Sequence, residues 1–195
     1  LRIDSDGRLL IGTTSHQEAY GTSALQIAGT SGATSSMSLI RHGNSPYLTL
    51  GSSGGSSLGA VTALSSGDRI GQLTFAGADG TDINTHAASI SAYVDGSVSS
   101  NNVPARIVFA TGPLETERLR IDSNGMIGFG GVIPKTQNTF DAIEFGKTGF
   151  LGSQTGARTV EIVSNAYYNS GWKYKEADVA TQYYQYNGYH AFTTA

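Results

Sequence analysis

The chain has 195 residues and a mass of 20.3 kDa, enough for one domain or two small ones. Charged residues make up 14% and the formal net charge is −3, so no basic surface points to nucleic acid or to an anionic membrane as a partner. Gly (26), Ser (23) and Thr (20) argue against helix-rich architectures, and Leu, Ile, Val and Phe reach only 42 residues, so a single self-contained core would be thin. Cysteine is absent, which removes disulfides, thiolate metal sites and a Cys nucleophile. No run approaches 18 apolar residues, so no membrane insertion is expected, and no signal peptide is recognisable. The chain opens at Leu1 inside a motif and reads as part of a longer polypeptide.

That motif is the first predicted element. Leu1-Arg2-Ile3-Asp4-Ser5-Asp6-Gly7-Arg8-Leu9-Leu10-Ile11-Gly12 recurs as Leu119-Arg120-Ile121-Asp122-Ser123-Asn124-Gly125-Met126-Ile127-Gly128-Phe129-Gly130, with seven of twelve positions identical. Alternation of apolar and charged residues before the turn has the period of a strand with one buried and one wet face. Asp-Ser-Asp-Gly and Asp-Ser-Asn-Gly suit a tight hairpin turn, because Asx and Ser side chains bond local backbone and Gly takes positive φ without strain. Each copy therefore reads as strand, turn, strand.

Between the copies, short strands are predicted at Tyr47–Leu50, Ala60–Leu64, Arg69–Phe75, Ala88–Val94 and Ala105–Ala110, bounded by Gly, Asp, Asn and Pro. Ser52–Ser57 is a Gly/Ser wrap of chain held by its neighbours. Composition shifts after Gly131: further strands are predicted over Ala142–Phe145, Gly149–Gly152 and Thr159–Val163, and the segment from Tyr167 onward is aromatic. The division is thus a repetitive β module over 1–131 and an aromatic-rich β module over 132–195. Glu176–Gln185 fits a short helix, although its Tyr pair also suits a strand.

Few of these residues form a chemical constellation. Asp4, Asp6, Asp68, Asp95 and Asp122 sit at turns where capping suffices, and Glu144 and Glu161 lie on alternating strands where an exposed face is expected, so no pair of carboxylates is singled out for glycoside hydrolysis. There is no Gly-x-Ser-x-Gly elbow, no phosphate-binding loop and no glycosylation acceptor, since Asn44-Ser45-Pro46 fails the pattern. Asp79, Asp82 and Asn84 lack calcium-loop spacing, and the four His are scattered. No cofactor and no metal is expected, and the chain reads as a non-enzyme. Trp172, Tyr167, Tyr168, Tyr183, Tyr184 and Tyr186 are the candidate ligand or interface residues, because Trp and Tyr join flat apolar faces to polar edges, suited to stacking on sugars or filling an interface. For Trp172, packing is the commoner use.

Gly67-Asp68-Arg69-Ile70-Gly71, Gly77-Ala78-Asp79-Gly80-Thr81-Asp82, Ile90-Ser91-Ala92-Tyr93-Val94-Asp95-Gly96, Pro104-Ala105-Arg106-Ile107-Val108-Phe109 and Glu117-Arg118-Leu119-Arg120-Ile121-Asp122 together resemble tail-fibre and related virion structural proteins of marine bacteriophages. Tyr167-Tyr168, Gly171-Trp172-Lys173 and Tyr189-His190 resemble segments of the same proteins. The resemblance implies a fibrous, usually trimeric β-rich appendage that helps the phage reach its host, with virion localisation and other tail proteins as partners.

The expected fold is all-β: an elongated fibre module of short strands and tight turns, intertwined as a homotrimer. Ile107, Phe109, Leu119 and Ile121 would point to a shared axis while Arg118 and Arg120 face water. A monomeric β-sandwich is the competing architecture. The expected role is structural support of host attachment; the alternatives are a module binding a host surface glycan through the aromatic cluster, and a polysaccharide-degrading tailspike.

Overall fold

The computed structural model describes residues 1–19 and 21–194, and within them the protein is all-β, with no helix. Both copies of the repeat fold as hairpins by the same device. In the first, β1 (Arg2–Ile3) and β2 (Leu9–Ile11) flank a turn in which Asp4 Oδ1 accepts hydrogen bonds from the backbone N–H groups of Asp6 and Arg8, each at 3.0 Å. In the second, Asp122 Oδ1 accepts from Asn124 and Met126, each at 2.9 Å. Gly7 and Gly125 take φ of 78° and 81°, a region that a Cβ disfavours. The eighth position separates the copies: Arg8 reaches back to Asp4, Nε to Oδ2 at 2.6 Å, whereas Met126 is buried.

The first hairpin joins β3 (Leu25–Ile27) in a three-stranded sheet, where β2 and β3 run parallel. From Ala28 to Asp68 no strand forms, and the strands expected at Tyr47–Leu50 and Ala60–Leu64 are absent. Neither segment finds a partner strand among the described residues. Ile40, Leu58 and Val61 stand open to solvent, and the Ser53 hydroxyl meets the carbonyl oxygens of Ala60 and Thr62.

A ten-stranded sheet follows almost in chain order. Its strands are β4 (Arg69–Gly77), β5 (Thr85–Val94), β6 (Ala105–Thr111), β7 (Thr116–Ile121), β8 (Ile127–Phe129), β9 (Phe140–Phe145), β10 (Gly149–Gln154), β11 (Thr159–Ser164), β14 (Thr181–Tyr186) and β15 (Tyr189–Thr194). All neighbours are antiparallel except β8 and β9, whose parallel pairing carries the sheet across residues 131 and 132. The crossover between them passes over Gly128, where a Cβ would collide with the Val132 carbonyl. The remaining strands, β12 (Ala166–Tyr168) and β13 (Trp172–Tyr174), form a separate hairpin. Glu176–Gln185 is not helical: its second half is β14, held by Tyr183 opposite Ile162 and Tyr184 opposite Glu161.

Strand register divides the side chains between two faces. On one face, Leu73, Ile90, Phe109, Leu119, Phe129 and Phe145 stand opposite one another in succession from β4 to β9. Beside them a second row runs from β6 to β15 through Ile107, Ile121, Ile127, Ile143, Leu151, Ile162, Tyr183 and Phe192. Among the described residues Leu50 lies over Gly71 at the β4 end of this face, but most of the rows stay open: Ile107, Phe109 and Ile121 are each 38% exposed and Phe192 is 82% exposed.

The core lies on the other face. Phe140, Ala142, Phe150 and Val163 alternate inward from β9, β10 and β11 and pack with Met126, Ala166 and Ala180, with Tyr168 against them. Arg120 points to this same face rather than to open water. Its side chain is largely buried and grips Glu117 through Nε at 2.5 Å and Nη2 at 2.7 Å. A bulge at Phe109 and Ala110 leaves Arg118 beside Thr111, whose hydroxyl accepts from its Nε at 2.9 Å.

Candidate functional site

The six aromatic candidates separate into different places. Trp172 on β13 meets Phe140 at 5.8 Å, Phe150 at 6.4 Å and Tyr168 at 5.5 Å between ring centroids, the last two edge-on, as aromatic quadrupoles prefer. Trp172 and Tyr168 therefore close the core, yet 42% of Trp172 remains exposed. Tyr167 is half-buried in the same hairpin, opposite Lys173. Tyr183 joins the apolar rows, with Phe192 at 4.8 Å and its hydroxyl 2.5 Å from His190 Nδ1.

Tyr184 and Tyr186 project to the core side, because β14 pairs Tyr184 with Glu161 and Tyr186 with Thr159, both of which are buried. Together with Trp172, Glu161, Gln182 and Gln154 they border an open hollow of about 390 Å³. Pairing across β11 and β14 thus brings three of the six candidates together, while the others serve the core, its hairpin and the opposite face.

Two carboxylates depart from expectation. Glu144 and Glu161 were expected on an exposed face, and both are buried, at 1% and 6% exposure. The pleat turns Glu144 inward with Phe140 and Ala142, and turns Glu161 inward with Thr159 and Val163. Glu144 is fully engaged. Its Oε2 accepts from Lys175 Nζ at 2.8 Å, and its Oε1 accepts from the Lys135 backbone at 3.1 Å and from Gln137 Nε2 at 3.0 Å. Gln137 Oε1 in turn accepts from the Tyr168 backbone, so the network ties β9 to the β12–β13 hairpin.

Glu161 is held more sparsely. Gln182 Nε2 donates to its Oε2 at 2.5 Å, and Gln182 Oε1 accepts from the Thr193 hydroxyl. Burial pushes the Glu161 carboxyl above the usual range, with the Gln182 bond opposing only in part. An unfolded Glu titrates near 4.5, so the folded state takes up a proton above that value. The resulting penalty is absent at lower pH and grows as pH rises toward the folded pKa. Glu161→Gln is accordingly expected to raise the melting temperature at neutral pH by a few degrees, a gain that vanishes as pH falls below about 4; thermal melts across that range check it.

Asp4, Asp68, Asp95 and Asp122 cap as expected, whereas the Asp6 side chain instead pairs with Arg8 Nη2 at 2.7 Å. Asp68 accepts from the Ser65 backbone, Asp79 accepts from Thr81 and Asp82, and Asp95 accepts from Ser123 and binds Arg106 at 3.0 Å. Arg69 and Arg106 lie over the ring of Tyr93, 5.3 and 4.9 Å from its centroid. Among the described residues no three His, Asp or Glu side chains gather in metal-binding reach. No protein-family model matches the chain, and no curated protein matches it.

Proposed function

We propose that the chain is a structural, non-enzymatic module of a bacteriophage tail fibre or related virion appendage that supports host attachment, built as a homotrimer whose copies share a core. The observation that carries this reading is the pair of apolar rows on the ten-stranded sheet, left largely uncovered by the described residues. Soluble monomers rarely leave contiguous apolar patches larger than a few hundred Å². The rows touch all ten strands and keep Leu73, Phe129, Ile162 and Phe192 at 46% exposure or more, and burying such a surface against copies of itself suits a standard interface of about 800 Å² per partner. Three copies fit the shape. Where the rows run side by side, over β6–β9, they are two residues wide, about 7 Å at the rise of a strand; Phe75 and Val160 widen the apolar strip locally, and Asp141 and Ser153 bound it. Three sheets meeting along a line each contribute such a strip, whereas two stacked sheets bury whole faces.

The role that follows is mechanical: short strands repeated along a common axis make a stiff spacer. The resemblance of the repeat and inter-repeat motifs to phage fibre proteins supplies the biological setting. Native mass measurement tests the assembly. About 61 kDa, three times 20.3 kDa, is the expected result, and a 20.3 kDa species at micromolar concentration overturns it.

A further inference from the structure

Glu161 has no structural need to be an acid. It is only 6% exposed, and its one hydrogen-bond donor among the described residues is a neutral amide, with no cation among them to offset the desolvation of its charge. Its second oxygen, Oε1, accepts no hydrogen bond from the described residues and keeps access to solvent. Glu161 is one of the residues lining the hollow bordered by Trp172, Tyr184 and Tyr186. A carboxylate oxygen without a donor, set among amides and hydroxyls and rimmed by aromatic faces, calls for a ligand with both hydroxyl donors and an apolar face.

We propose that this hollow binds a neutral saccharide, with Glu161 Oε1 accepting from a sugar hydroxyl and Tyr186 or Trp172 lying against the C–H face of the ring. The Glu161 carboxylate disfavours acidic sugars, which would bring a second carboxylate or phosphate into a desolvated site. Small-molecule pockets run from about 300 to 1,000 Å³, and at about 390 Å³ this one has room for one or two pyranose rings rather than a long chain. Because strand alternation puts Tyr184 and Glu161 on the side opposite Ile162 and Tyr183, the hollow stays open when the apolar rows are covered. The inference therefore holds for one copy or three, and it is independent of the oligomer.

The full chain would be screened on a printed array of neutral and N-acetylated oligosaccharides, and the best ligand titrated by fluorescence of Trp172, the sole Trp. Binding is expected, weakened at least tenfold by Glu161→Gln and by Tyr186→Ala, and unchanged by Phe192→Ala on the opposite face. Melting curves establish that the variants are folded; Glu161→Gln removes a buried charge and Tyr186 is 46% exposed, so neither change strikes the core. Retention of no array glycan at millimolar concentration overturns the proposal. So does full affinity in either of the first two variants.

Discussion

Glu144→Ala is expected to lower the unfolding free energy by about 3–5 kcal/mol, on the order of 10 °C in melting temperature, because it leaves the Lys175 ammonium, whose side chain is 5% exposed, with only the Gly149 carbonyl at 3.3 Å. The carboxylate also serves the Lys135 backbone and Gln137, so two further donors lose their acceptor. Replacing both ends of the pair, as Glu144→Leu with Lys175→Met, is expected to recover the part of the loss that belongs to the unpaired charge, since apolar replacements of similar volume often match a buried ion pair. The cost of the two orphaned donors remains. Differential scanning calorimetry of the single and double variants checks both statements. If Glu144→Ala melts within 2 °C of the parent, the pair does not lock the hairpin to the sheet.

Ile121→Lys is expected to convert the assembled species into a 20.3 kDa monomer while leaving the strand content intact. Ile121 lies in the second apolar row, opposite Ile107 on one side and Ile127 on the other, and is 38% exposed within the single chain. An ammonium there is solvated in the monomer and desolvated on an axis shared with two copies of itself, where like charges also repel. Light scattering with circular dichroism separates dissociation from unfolding. Because the protein contains no cysteine, Ile121→Cys gives a complementary test: residues beside a threefold axis approach their own copies, so a disulfide-linked pair is expected under mild oxidation. Arg118→Cys, on an exposed and bulged position, is expected to cross-link far less. An Ile121→Lys variant that keeps the parental mass would move the interface elsewhere.

What could be read before the fold was known follows from the range of the interactions involved. The repeat hairpins were legible because their turns are local: Asp122 bonds the backbone two and four residues ahead, and Gly125 needs only its own φ. Strands β4, β5 and β6 were legible because each carries its own period-two pattern. Tyr47–Leu50 carries a similar pattern, yet a strand also needs a neighbour, and the described residues supply none there. Phase was harder than period. Alternation says that Glu161 and Val160 face opposite ways but not which of them goes inside; that depends on which side the β12–β13 hairpin covers. The same ambiguity hid Glu144. It also explains why Tyr183 and Tyr184, adjacent in sequence, serve opposite faces, and why the aromatic stretch that composition marks as one cluster is several.

The order of strands has a mechanical consequence. Ten strands at about 4.8 Å spacing stack over roughly 45 Å, and the longest of them, the ten-residue β5, is about 33 Å end to end. Tension applied along the stack pulls on each ladder in its opening direction, one after another, as a zip fastener is undone, and the backbone alone resists this poorly. The apolar rows run along the stack and touch every strand, so interdigitated neighbours would act as splints laid across all the joints at once. Load-bearing strength would then be a property of the bundle, scaling with its side chains rather than with its backbone hydrogen bonds.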